Sequence, residues 1–288
     1  MTPVPDTVRE RRITSRDGTG LRVIEAGRPG ERTVLMLHGL RSYAETWLPL
    51  IGGLPRSWHR VAYDARGRGG SDRDPRGEYT TERNLDDLAA VLDALDVDTV
   101  DLVGHSMGGT TALLHAARHP ERVARLVVED MVPGASLSGP GADRIRRELA
   151  EVPADFADPA EAAAFWRRLR PRADDEAIAS RVRYTVRDEP DPVTGRFGWI
   201  ADMAGIAAAR LRPGTIPDLW PAVRALTVRT MLICGSESDF SPAPARDRVA
   251  AANPAIRVRV VPGAGHYVHD DRPDSFATLV HEALEVHR

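Results

Sequence analysis

Gly104-His105-Ser106-Met107-Gly108 sets a serine between two glycines at the junction of two unlike stretches. Before it, Thr99-Val100-Asp101-Leu102-Val103 reads as a buried strand; after it, residues 110–118 have the composition of a helix. In that setting a G-x-S-x-G run carries its serine on a sharp strand-to-helix turn, with the hydroxyl projecting from the sheet edge. Glycines flank such a turn because its strained backbone leaves no room for neighbouring Cβ atoms. The chemistry open to a serine held this way is nucleophilic attack on a carbonyl carbon.

That attack needs a base, a third group to orient the base, and donors for the developing oxyanion. His266 ends Val260-Val261-Pro262-Gly263-Ala264-Gly265-His266, after the last apolar run and before the final helical pattern. Its place in the chain returns it to the same sheet edge as Ser106. His38 and His269 are of the same residue type on neighbouring loops, but His266 is the expected base. The backbone N–H groups of Met107, at the start of the helix, and of Leu40, after His38-Gly39, are the expected oxyanion donors. This constellation calls for no metal and no organic cofactor.

The elements that must position these residues follow from apolar periodicity. Strand-like runs fall at residues 12–15, 21–25, 33–37, 60–63, 99–103, 123–128, 230–234 and 256–261. Leucine and valine recur at helical spacing over residues 81–95 and 274–286. Alternation of this kind predicts an α/β fold with a doubly wound, mainly parallel sheet. It breaks between Gly134 and Pro213, where patterns at 144–152, 159–169, 174–186 and 197–211 read as helices and no strand is evident. The expected organisation is therefore a core of residues 9–133 and 214–288, with a helical cap at 134–213 inserted after the sixth strand. Residues 1–8 read as a loose tail.

Composition excludes several classes. The net charge of −3 gives no general attraction to nucleic acid or to an anionic membrane. No apolar stretch approaches the roughly 18 residues of a membrane span, and the first twelve residues lack the apolar segment of a signal peptide. All 39 basic residues are arginine, which removes Schiff-base and phosphate-loop lysine chemistry. The single cysteine, Cys234, ends an apolar run and reads as a buried, inert thiol. A cytoplasmic protein acting on a small-molecule substrate is the expectation.

With these motifs in place, the chain resembles α/β-hydrolase-fold enzymes from about residue 9 to 288. The resemblance rests on His38-Gly39, Asp64-Ala65-Arg66-Gly67-Arg68-Gly69, Gly104-His105-Ser106-Met107-Gly108-Gly109 and Gly263-Ala264-Gly265-His266. It implies an eight-stranded sheet, a cap after the sixth strand and the chain order serine, acid, histidine. The stretch from Asp64 to Gly69 matches a family turn after the fourth strand and is read as structural.

The acid departs from the common family pattern. Most members carry an aspartate after the seventh strand, three residues after a glycine and four before a proline. Here Gly235 and Pro242 keep that register, but Ser238 occupies the position and Asp239 follows one residue late. Asp130 ends the sixth strand, the site used by relatives whose acid has moved there and which often hold serine in the vacated position. Asp130 is the expected acid and Asp239 the alternative. Glu129 should face the other side of the strand.

The resemblance extends loosely to (acetamidomethylene)succinate hydrolases and implies hydrolysis of a small-molecule ester, thioester, lactone or amide through an acyl-enzyme on Ser106. Carbon–carbon bond hydrolysis, biosynthetic acyl transfer or cyclisation, and a ligand receptor with vestigial turnover are the alternatives on the same fold. Among cap arginines, Arg144, Arg147, Arg167 and Arg183 are candidates to meet a substrate carboxylate. Trp47, Trp166, Trp199 and Tyr267 are candidates to line a pocket, Tyr267 foremost because it adjoins His266.

Overall fold

The computed structural model describes residues 7–212 and 214–285. Eight strands form one sheet: β1 (Arg9–Thr14), β2 (Gly20–Ala26), β3 (Thr33–Leu37), β4 (His59–Tyr63), β5 (Val100–His105), β6 (Val123–Glu129), β7 (Thr230–Gly235) and β8 (Ile256–Val261). Their order is β1-β2-β4-β3-β5-β6-β7-β8. β2 runs antiparallel to β1 and β4, and every other pairing is parallel. The eight predicted strand runs all appear, with ends shifted by up to three residues.

The buried runs are uninterrupted because helices cover both faces of the sheet. All of β3, β4, β5 and β7 is buried. Alternation sorts the side chains: Leu35 and Leu37 join a core with Leu88, Leu113 and Val249, whereas Val34 and Met36 join one with Ile51, Phe276 and Val280. The first core is built with the helices Thr81–Leu95, Met107–Arg118 and Ala243–Ala252, the second with Leu48–Gly53 and Pro273–Glu285. Thr80 caps the first of these helices by accepting from the Arg83 N–H at 3.3 Å.

Between β6 and β7 lie the helices Pro140–Ala150, Pro159–Leu169, Asp175–Thr185 and Met203–Leu211. Asp158, Asp174 and Asp202 cap the last three by accepting from the N–H groups of Glu161, Ala177 and Gly205. These helices bury their own apolar cluster, including Phe156, Phe165, Trp166, Ile178, Trp199 and Ile206. One expectation fails here. The segment is not strandless, since Asp155–Phe156 pairs antiparallel with Phe197–Gly198, and Trp199 bridges Val186. The helix expected from residue 197 starts at Met203, because the aromatic residues 197 and 199 favour extended backbone and Asp202 supplies the cap. Residues 1–6 of the expected tail, position 213 at the expected cap boundary and residue 286 of the last expected helix lie outside the described residues.

Among the described residues, no helix is long and apolar enough to cross a membrane. Cys234 is buried, and burial pushes its thiol well above its ordinary range.

Candidate active site

Gly104 and Gly108 allow the turn that presents Ser106. A Cβ on Gly104 would lie 2.6 Å from the Gly108 carbonyl oxygen, and one on Gly108 only 2.2 Å from that of Leu37. Ser106 itself has φ 51° and ψ −109°, a backbone state costing a non-glycine residue on the order of 1–3 kcal/mol. Its N–H donates to the Glu129 carbonyl at 3.0 Å, which ties the turn to the end of β6. The helix that follows starts at Met107.

Two loops deliver the remaining groups. Ser106 Oγ lies 3.0 Å from His266 Nε2, and His266 Nδ1 lies 2.7 Å from Asp130 Oδ2. Asp130 is fully buried and adopts φ 48° just past β6, its N–H donating to the Ile233 carbonyl at 2.8 Å. Its carboxylate accepts from the Gly235 N–H at 3.1 Å and from the hydroxyls of Ser238 and Ser241. The Phe240 ring stacks on His266 with centroids 4.2 Å apart. His105 Nε2 donates to the His266 carbonyl at 3.0 Å and so fixes the backbone of that loop.

Asp239 is elsewhere. Its carboxylate meets Arg144 through two hydrogen bonds, of 2.7 and 2.9 Å, and is 30% exposed. Burial would raise its pKa, but the Arg144 guanidinium outweighs that and lowers it. Glu129 serves a different histidine from Asp130, accepting from both the N–H and Nδ1 of His269. Burial disfavours protonated His269, yet Glu129 and Asp270 more than compensate and raise its pKa. His38 is held neutral: Nδ1 donates to the Gly39 carbonyl at 2.7 Å, Nε2 accepts from the Ala65 N–H at 3.0 Å, and burial lowers its pKa to about 3. It therefore braces the Leu40 loop and has no free lone pair for a proton.

The stretch from Asp64 to Gly69 works as scaffolding. Asp64 accepts from the N–H groups of Ala44 and Gly70 and pairs with Arg22. Buried Arg66 joins Asp87, Asp74 and Asp17. Arg68 donates to the Leu40 carbonyl at 3.1 Å and reaches Met107 Sδ at 3.6 Å, joining the two loops expected to supply oxyanion donors.

A cleft of about 80 Å³ opens beside Ser106, lined by Leu40, Met107, Thr110, Ile145, Arg210 and Phe240 among others. Tyr267 does not line it. Its ring packs 5.0 Å from His266 and lies under the Arg170 guanidinium, 3.3 Å away. The charges of Arg170, Arg41 and Arg181 outweigh burial there and lower the phenol's pKa. Trp47 packs with His269 and Phe276, while Trp166 and Trp199 belong to the core of the inserted segment. Arg144 is engaged with Asp239 and Glu148, Arg167 pairs with Asp175, and Arg147 and Arg183 are exposed. Arg210 and Phe240 lack a motif that would mark them in advance. Ser238 was marked by its place in the vacated acid position.

Among the described residues, His105, Glu129 and His269 form one buried group with ligand-type atoms within 4.8 Å of one another. Glu129 bonds His269, whose Nε2 meets Thr46 Oγ1 at 3.1 Å, and His105 bonds the His266 carbonyl, so the group reads as a brace beneath that loop.

The sheet order, the glycine-flanked serine turn and the hydrogen-bonded serine, histidine and aspartate at one sheet edge define a hydrolase-type α/β protein. The chain belongs to the Alpha/beta hydrolase family, whose pattern it matches over residues 34–279. It is 32% identical over 274 residues to a Bacillus subtilis protein provisionally named 2-succinyl-6-hydroxy-2,4-cyclohexadiene-1-carboxylate synthase, covering 94% of this chain and 97% of that one. It is 29% identical over 241 residues to 2-(acetamidomethylene)succinate hydrolase of Mesorhizobium japonicum, covering 84% of each. The crystal structure of E-2-(acetamidomethylene)succinate hydrolase superimposes with a TM-score of 0.86 at 27% identity, covering 97% of this chain and 100% of that one.

Proposed function

We propose that this hydrolase cleaves a small-molecule ester, thioester, lactone or amide through an acyl-enzyme on Ser106. The observation that carries the reading is the unbroken hydrogen-bonded chain from Ser106 Oγ through His266 to Asp130. His266 Nε2 takes the serine proton as Oγ attacks the carbonyl carbon. Asp130 orients the ring and stabilises the imidazolium, its own charge held by the Gly235 N–H and the two serine hydroxyls. The Leu40 and Met107 N–H groups receive the oxyanion. His266 returns the proton to the leaving group, then activates a water that releases the acid and frees Ser106. The four helices between residues 140 and 211 act as a cap over the cleft. None of these steps calls for a cofactor.

Sustained release of p-nitrophenol from p-nitrophenyl acetate, abolished in Ser106→Ala, is the expected result. A single burst without turnover would instead fit a receptor. The similarity to the Bacillus subtilis protein, named a synthase, supports a second reading in which Ser106 and His266 serve carbon–carbon bond or cyclisation chemistry. In that case rapid-quench mass spectrometry finds no acyl adduct on Ser106 during turnover.

A further inference from the structure

The cleft beside Ser106 carries a charge that no carboxylate among the described residues balances. Among the described residues that line it, Arg210 is the one charged side chain; the others are apolar, hydroxyl-bearing or amide. Its recorded hydrogen bond is long and to a neutral group, the Ser136 carbonyl at 3.4 Å. Several other arginines of the inserted segment have a carboxylate partner, and Arg147, Arg168, Arg183 and Arg187 are exposed to solvent, which Arg210 is not. Arg144 meets Asp239, Arg146 meets Asp143, Arg167 meets Asp175, Arg172 meets Glu237 and Arg196 meets Asp155. Arg210 has no carboxylate within ion-pair distance among the described residues. Burial and the like charge of Arg146 both disfavour its charged form. A half-buried guanidinium gains most from a partner that offers two oxygens in its own plane.

We infer that Arg210 selects substrates bearing a carboxylate, pairing with it while the scissile carbonyl lies against Ser106. This rests on the serine-hydrolase reading and adds a substrate class to it: small acids that carry the reacting ester, thioester or amide a few bonds from a free carboxylate. The neutral, partly apolar remainder of the lining receives the connecting chain. Among the described lining residues, no other side chain carries a positive charge to offset the desolvation of that anion.

The test compares p-nitrophenyl hydrogen adipate with p-nitrophenyl hexanoate, acyl chains of matched length that differ by one carboxylate. The wild-type chain should favour the anionic ester at least tenfold in kcat/KM. Arg210→Glu should erase that preference or reverse it, and Arg210→Lys should keep part of it. A merely structural arginine would move both esters together and leave their ratio fixed. Equal kcat/KM for the two esters in wild type overturns the inference, as does a preference retained in Arg210→Glu. If neither ester is turned over, the hydrolase reading fails first, and calorimetry on Ser106→Ala protein decides Arg210 alone. There adipate monoamide should bind at least tenfold more tightly than hexanamide, an advantage lost when Arg210→Glu is added; equal binding overturns it. Whether or not Arg210→Glu folds, the wild-type ester ratio and the Arg210→Lys ratio each stand as independent readouts.

Discussion

Asp130 Oδ2 lies 2.7 Å from His266 Nδ1 although the two residues are 136 positions apart in the chain. The acid comes from the end of β6 and the histidine from the loop after β8, with β7 between those strands. The loop after β7 contributes serines where an acid is commonly found, and those serines hold the Asp130 carboxylate.

This arrangement predicts unequal costs for two amide substitutions. Asp130→Asn should lower kcat on the order of 10⁴-fold, as loss of other triad acids does. Asp239→Asn should change it less than tenfold, because that carboxylate is spent on Arg144. Steady-state kinetics on one p-nitrophenyl ester checks both, and the reverse ranking would move the acid to Asp239.

The acid should also be portable. Ser238 Oγ bonds the same Asp130 oxygen that meets His266, so a carboxylate at 238 stands within reach of that ring. Ser238→Asp added to Asp130→Asn should recover at least tenfold of the lost kcat. Ser238→Asp alone sets two carboxylates together and should lower activity at neutral pH, since one of them then holds a proton. A double variant no faster than Asp130→Asn would refute the shared geometry.

Much of this site is legible in the chain. The serine turn, His266 and the Ser238 vacancy are local signals, fixed by glycine spacing and by residue type at a known register. The core strands are legible for the same reason: runs such as Thr33–Leu37 are apolar on both faces. Contacts across the seam between inserted helices and core are not. Arg170 and Arg181 both pair with Asp270 over 100 and 89 positions, and nothing in either local sequence marks the partner. Tyr267 shows the limit most clearly, because adjacency to His266 in sequence places its ring beside the histidine but beneath arginines instead of on the cleft wall. The short ladder at Phe197–Gly198 escapes notice because two paired residues are too few for periodicity.

Stability should fall in acid for a specific reason. His38 has its pKa lowered by burial to about 3 and His115 to about 4, against an ordinary 6.5. Both are neutral in the folded chain, whereas the unfolded chain protonates them below pH 6.5. The unfolded state then binds more protons, so stability is full above pH 6.5 and is lost as pH falls toward 3. Urea midpoints between pH 7 and 4.5 should decline, and His115→Gln should flatten the slope; an unchanged slope would contradict the assignment.

Two glycines should respond oppositely to alanine. Gly108→Ala forces a Cβ to 2.2 Å from a backbone oxygen and should cost about 1–3 kcal/mol together with most activity. Gly53, in a helix and with nothing within 4 Å of its Cβ position, should gain about 0.4–1 kcal/mol from the same change. Denaturant unfolding of both variants measures the contrast, and equal shifts would contradict it.

The account stands on Ser106 as an activated nucleophile, and covalent labelling addresses that directly. A fluorophosphonate should add once to the folded protein, with peptide mapping placing the adduct on Ser106 and the adduct absent from Ser106→Ala. A label on any other residue, or none on wild-type protein, would contradict it.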